Sequence, residues 1–270
     1  MSKILPEIHH EFTNLSIEKV KNAYENGDTV TGFVKGVCPE KEVVYVRLGD
    51  GIVAMLPFSE TTIYPMRYSK KHTSNLPTNV KCLLKRKIRV KISSIEGNTI
   101  TVSRKKNMME AYNHIYGCAG QRISMYVTEV INKTAFGDVG EGICGKLFIN
   151  DVCRSHIKHV NEIIKERETI EVIIKDYDDE HRVSVSYRDA FKPYDKEDYK
   201  LGDTIVVTIG DRIKVADTSD YYVSVTPQVP GIMIANHHIH LDYGSKAECT
   251  ITGTSDKGLY LVFVKSVKEA

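Results

Sequence analysis

Gly140, Gly142 and Gly145 stand in G-x-G-x-x-G spacing inside AFGDVGEGICGKLFIND, and Lys146 follows at once. Glycines so spaced, with a cation beside them, can cradle a phosphate against backbone N–H groups. That chemistry needs a strand before the loop and a helix opening on its last glycine. After Gly145, however, Leu147 and Ile149 alternate with Lys146 and Phe148, which is the period of a strand. A P-loop also needs Ser or Thr after its lysine, and Leu147 stands there. The glycines therefore read as a tight reversal between two strands, not as a nucleotide site.

Other groupings of reactive side chains are sparse. The run HHIH at 237–240 has only Asp242 near it as a further ligand. His156 and His159 are spaced like one face of a helix, and the acids of YDDEH at 177–181 read as a solvated turn. None of these makes a metal site, and no Ser/His/Asp or Cys/His arrangement stands out. No catalytic residue, metal or cofactor is expected, and the chain is not read as an enzyme. The six cysteines are scattered without a C-x-x-C pair, as free thiols of a reducing compartment are. No apolar run reaches the length of a membrane span, and MSKILPEIHHEFTN has no apolar signal core. The expected location is the cytoplasm, with no membrane partner.

The net charge of +2 conceals an uneven distribution. Between Thr61 and Met109 there are twelve lysines and arginines against one acid, Glu96. A field of that kind attracts polyanions, while the acidic remainder of the chain limits indiscriminate attachment.

The elements that must carry these residues repeat. Counted from Gly145, Phe136 lies nine residues before, Ile143 two before, Leu147 two after and Asn150 five after. The same offsets from Ala54 give Tyr45, Ile52, Leu56 and Ser59, and from Gly231 they give Tyr222, Val229, Met233 and Asn236. Each unit opens alike, with GDTVTGFVKGV at Gly27, GQRISMYVTEV at Gly120 and GDTIVVTIGDRI at Gly202, and each closes with two further strand-like runs. Five short strands in about 80 residues, with turn residues between them, predict a small closed barrel. The reading is all-β: three tandem five-stranded barrels with short connecting helices. It divides the chain into a helical arm at 1–26, a basic first barrel at 27–110, a second at 118–190 and a degenerate third at 200–270. Helical spacing is expected in SIEKVKNAYENG, capped by Ser16, in KKNMMEAYNHIYG, and in SHIKHVNEIIKE inside the second unit. RDAFKPYDKEDYKLG reads as a looser linker.

Within the second unit, the stretches GQRISMYVTEVINKTAFGDVGEGICGKLFINDV and TIEVIIKDYDDEHRVSVSYR resemble the S1-type RNA-binding domain, an oligonucleotide-binding (OB) barrel named after the bacterial ribosomal protein. The run ENGDTVTGFVKGV is similar to the entry of such repeats. The resemblance covers about 20–270, strongest at 120–188 and weakest in the third unit. It implies OB barrels that bind single-stranded RNA without catalysis, with the ribosome or mRNA as surroundings. Docking on a ribosome, polymerase or nuclease as a scaffold is the alternative. By position it implies roles for Phe136 and Tyr45 as ring residues, Phe148 where a histidine is common, and Asp176 and Arg182 as the acid and arginine flanking the last turn. Lys133 replaces the usual first aromatic. In the first unit Pro57, Ser94 and Thr99 depart from the pattern, and in the third Tyr222 is kept but Ile234 replaces the histidine.

Strand alternation assigns the faces independently. Ile123, Met125, Val127, Ala135, Ile143, Leu147 and Ile149 are expected inside, and Tyr126, Phe136, Lys146 and Phe148 outside. Phe33 and Tyr45 form a smaller outward platform on the first unit. Outward rings stack unpaired bases, and neighbouring cations take the phosphates. Lys85, Arg86, Lys87, Arg89 and Lys91 are the phosphate candidates of the basic segment, Arg86, Arg89 and Lys91 foremost, with Arg182 beside the turn of the second unit.

Overall fold

The computed structural model describes residues 4–68, 76–215, 218–236 and 238–267. Lys70, Lys71 and His237 lie outside the described residues. Among the described residues, fifteen strands form three closed barrels. The first comprises β1 (Thr29–Cys38), β2 (Val43–Gly49), β3 (Ile52–Pro57), β4 (Lys87–Glu96) and β5 (Thr99–Ser103). The second comprises β6 (Arg122–Ile131), β7 (Thr134–Asp138), β8 (Cys144–Phe148), β9 (Thr169–Tyr177) and β10 (Val183–Ser186). The third comprises β11 (Thr204–Val215), β12 (Thr218–Thr226), β13 (Val229–Ala235), β14 (Lys246–Ser255) and β15 (Gly258–Val267). All three share one connectivity: the first strand pairs with the second and fourth, and the third pairs with the fifth. In the first and third barrels that last pairing is parallel, Met55 facing Thr101 and Ile232 facing Tyr260. This is the expected all-β fold of three tandem OB-type barrels.

Period-two burial builds each interior. In β2, Val44, Val46 and Leu48 are fully buried while Tyr45 and Arg47 between them face outward, half-buried. In the second barrel Met125, Val127, Ala135, Ile143 and Leu147 are completely enclosed, as alternation requires. Removing such a side chain from water contributes about 1.5–3 kcal/mol each, so a one-residue slip in any strand would expose its whole inward set.

The packing divides the chain into two compact units. One is Met1–Thr128, Phe136–Lys146 and Thr169–Ser184; the other is Glu129–Ala135, Leu147–Glu168 and Val185–Ala270. Helix α1 (Ile17–Asn26) starts where the Ser16 hydroxyl accepts from Lys19 N and ends at Gly27, whose φ is 68°. Its Val20 and Ala23 are buried. A single turn, α2 (Thr78–Lys81), precedes β4. Helix α3 (Arg104–Ile115) is capped by Ser103, which accepts from Lys106 N at 3.0 Å. No helix among the described residues is long and apolar enough to cross a membrane.

The helix expected in SHIKHVNEIIKE is not formed; the segment holds one 3-10 turn, Val160–Glu162. Glu162 accepts from both Lys158 N and His159 N, a capping box that opens the turn. Val160 N is donated to Asn132 O, and Val160 and Ile164 are buried. The turn continues as far as Ile164 N on Val160 O, but Lys165 N, which a longer helix would give to Asn161 O, is taken by the Glu168 carboxylate at 2.7 Å.

Candidate nucleic-acid interface

The glycine loop is a latch within the first unit. Asp138 Oδ1 accepts from Gly140 N at 2.8 Å and Gly142 N at 2.9 Å. Its Oδ2 accepts from Glu7 N, in the N-terminal arm, at 2.6 Å. The N–H groups that could have held a phosphate are therefore turned onto the chain's own carboxylate. Gly140, Glu141 and Gly142 all have positive φ. A Cβ on Gly140 would meet Ile4, and one on Gly142 would meet the Arg104 guanidinium. Glycine is needed here for close approach by the arm and α3, which answers why the motif is present without a nucleotide.

Around the latch lies a buried polar cluster. Arg104 donates twice to Glu7, at 2.8 and 2.7 Å, and once to Thr61 O at 2.9 Å. Glu141 accepts from Asn107 at 2.7 Å and from Arg89 at 3.1 Å, and His10 Nε2 lies 3.1 Å from it. Burial pushes the Asp138 carboxyl up to about 7, helped by the Glu7 carboxylate and opposed by the Glu7 and Gly140 N–H groups and by Arg104. Desolvation lowers Arg104, but the Glu7 carboxylate outweighs it, so the guanidinium stays charged. Tyr64 is half-buried beside the loop, its hydroxyl accepting from Cys144 N at 2.6 Å.

The structure separates the expected site residues into two groups. Several of the cations are already matched. Arg89 is engaged by Glu141 and by Thr31 Oγ1 at 3.3 Å, and its side chain is mostly covered, so it does not stand free on the surface as expected. Lys91 pairs with Glu110 at 2.6 Å. Lys146 and Arg182 both reach Asp178, at 2.5 and 3.6 Å, and Arg182 also reaches Glu180. Desolvation opposes ionisation of Asp178, yet the hydrogen bonds from Lys146 and the Arg182 backbone hold it below the usual carboxylate range. Asp178 and Glu180, not Asp176, are thus the acids that meet Arg182; Asp176 is exposed and its carboxylate accepts from the N–H of Tyr177. Asp178 was legible only as one acid of YDDEH, with nothing to distinguish it.

The rings and one arginine remain available. Arg86 is exposed in the turn before β4. Phe33 and Tyr45 are half-buried on the outer side of β1 and β2. Tyr45 faces Gly36, which has no side chain, across the pair with β1. Phe136 is half-buried on the outer side of β7, and Phe148, at the end of β8, is 46% exposed. Tyr126 is half-buried with His9 edge-on to it at 6.4 Å, so the arm covers part of that ring. Two further residues of the first barrel's outer side escaped the sequence reading: Arg47, and Phe12 from the arm, whose ring lies 4.7 Å from the Arg47 guanidinium carbon.

The third barrel differs. Tyr222 is 39% exposed, but His156 stacks on it at 4.8 Å and is held by Asp211 at 2.9 Å. Its outer side also exposes Ile234, Tyr260, Val262 and Val264. Among the described residues no three His, Cys, Asp or Glu side chains gather as a metal site.

Three barrels of this connectivity in one chain define a tandem OB-fold protein, and its units are S1-like repeats. Over 181 residues the chain is 26% identical to the small ribosomal subunit protein bS1 of Staphylococcus saprophyticus, a match covering 66% of this chain and 42% of that protein. The chain thus spans less than half the length of the curated relative it matches. No family model matches. Among solved structures, GSP13 from Bacillus subtilis aligns with 23% identity over 30% of this chain and 64% of its own, at a TM-score of 0.27. A multidomain protein with nucleic acid binding domains from Streptococcus pneumoniae aligns with 11% identity over 90% of this chain and 75% of its own, at a TM-score of 0.25.

Proposed function

We propose that this is a non-catalytic protein that binds single-stranded RNA on the outer faces of its first two barrels, in the setting of the ribosome or of mRNA. The observation that carries it is the presence of partly exposed rings on strands whose other face is buried: Phe33 and Tyr45 on the first barrel, Phe136 and Phe148 on the second. Rings placed this way stack bases at about 1–3 kcal/mol each. Similarity to a small-subunit ribosomal protein supports the same reading. Phosphate contact falls to cations with no acid beside them among the described residues, Arg86 foremost, while Arg89, Lys91, Lys146 and Arg182 are already paired with carboxylates.

The test is fluorescence anisotropy with labelled single-stranded RNA across a salt series. Affinity should fall steeply with salt, Phe136→Ala and Phe148→Ala should each lose about 1–3 kcal/mol, and Arg86→Glu should weaken all sequences alike. If both Phe variants bind like the parent, the ring reading is wrong.

A second reading applies to the third barrel. With Tyr222 stacked by His156 and with Ile234, Val262 and Val264 exposed, its outer side suits a protein surface better than a polyanion. It serves as the docking barrel of the chain, on the ribosome or another RNA-processing assembly.

A further inference from the structure

The structure assigns to the N-terminal arm a share of the nucleic-acid site: Phe12 and Phe33 hold Arg47 on the outer side of the first barrel as the cation that takes an RNA phosphate. This rests on the RNA-binding reading and names a residue pair that lies outside the barrel pattern.

Three observations support it. First, Arg47 is an unmatched cation. In the same unit Arg67, Arg89, Arg104 and Arg182 each reach a carboxylate. Arg47 has no hydrogen-bond or ion-pair partner among the described residues, and its Nε is buried without one. A half-buried charge without a counter-ion is costly, and it awaits an anion.

Second, the guanidinium is positioned. Its carbon lies over Phe12 at 4.7 Å and over Phe33 at 6.0 Å, and Phe33 faces Arg47 directly in the β1–β2 register. Rings against a guanidinium favour the charged plane and leave the terminal in-plane donors, beyond the buried Nε, for an oxyanion. Tyr45, two residues along the same strand and on the same side, is the ring on which an adjoining base can stack.

Third, the arm is fixed on both sides of Phe12. On one side Leu15 N donates to Leu48 O at 3.0 Å, Asn14 donates to Asp50 at 2.6 Å, and Gly49 lies so close to Leu15 that a Cβ would overlap its carbonyl. On the other side Lys87 donates to His10 O at 2.8 Å, and Glu7 is locked to Arg104. Phe12 therefore has a defined place beside Arg47. A phosphate is favoured over a base edge because the unmet requirement is charge, which a phosphate supplies and a neutral base does not.

The test uses the full chain and labelled single-stranded oligonucleotides, homopolymeric and mixed, across a salt series. Arg47→Gln should lower affinity several-fold for every sequence and reduce the log–log salt slope by about 0.7, one phosphate's share. Arg47→Lys should restore most of the slope. Phe12→Ala should weaken binding several-fold with the slope of the parent, since it removes a ring and no charge. Parent-like affinity and slope in Arg47→Gln, with the parent binding RNA normally, would overturn the assignment and leave the RNA-binding reading intact. A loss confined to guanine-containing oligonucleotides with an unchanged slope would overturn it in favour of a base edge. Failure of the parent itself to bind would remove both. Thermal melting of each variant separates lost binding from lost folding.

Discussion

Replacing Gly142 by alanine tests whether the glycine loop is a packing latch. Gly142 has φ 83°, and an added Cβ would stand 1.9 Å from Arg104 Nη2, 2.7 Å from its Cζ and 3.1 Å from Glu7 Oε2. The far end of an arginine usually swings away, but this one is 7% exposed and held by Glu7 and Thr61. Accommodation requires either that Arg104 leave Glu7 or that the loop retreat from Asp138. The left-handed backbone costs roughly 1–2 kcal/mol for alanine, and breaking a buried ion pair costs roughly 3–5 kcal/mol. Partial relaxation places the expected loss at about 3–5 kcal/mol. Gly51 supplies the control: its φ is 72° with nothing within 4 Å of a Cβ, so Gly51→Ala should carry only the backbone cost. Hydrogen exchange read on peptides spanning 104–112 and 138–146, with urea unfolding in parallel, measures both variants. If Gly142→Ala destabilises no more than Gly51→Ala, contact with the Arg104–Glu7 pair is not why this loop needs glycine.

The buried cluster makes further predictions. Burial and Glu7 raise Asp138 to about 7, above its value in the unfolded chain, so between about pH 4 and 7 the folded form keeps a proton that the unfolded form has lost. Stability should therefore fall as pH rises through that window, and Asp138→Asn should flatten the profile of urea midpoint against pH. Arg104→Met should lose about 3–5 kcal/mol by leaving Glu7 buried and unpaired, and adding Glu7→Gln should recover part of it in a double-mutant cycle. Burial also pushes the Cys144, Cys153 and Cys249 thiols up to about 11, whereas Cys82 is exposed. Iodoacetamide at pH 8, followed by mass spectrometry, should label Cys82 well before those three; labelling at equal rates would contradict their enclosure.

The sequence by itself determined the three barrels. Alternation of buried and outward residues is a property of neighbours in the chain, so Val44, Val46 and Leu48 could be told from Tyr45 and Arg47 before any fold was known. The aromatic–small–Ser/Asn offsets repeat because each barrel makes the same reversal between its second and third strands. The same local rule placed Phe33, Tyr45, Phe136 and Phe148 on outer faces. Helical spacing in SHIKHVNEIIKE misled, because Glu168 captured Lys165 N, the backbone group that the next helical bond would have used. Only the tertiary structure decided which charges are free. Arg89 and Arg86 look alike in KRKIRVK, yet one meets Glu141, 52 residues away, while the other stays exposed. Arg104 meets Glu7 across 97 residues, and Arg47 meets Phe12 from an arm with no barrel pattern of its own. A side chain's face follows from the backbone period, but its counter-charge depends on which distant segment the fold brings beside it, and nothing in local spacing records that.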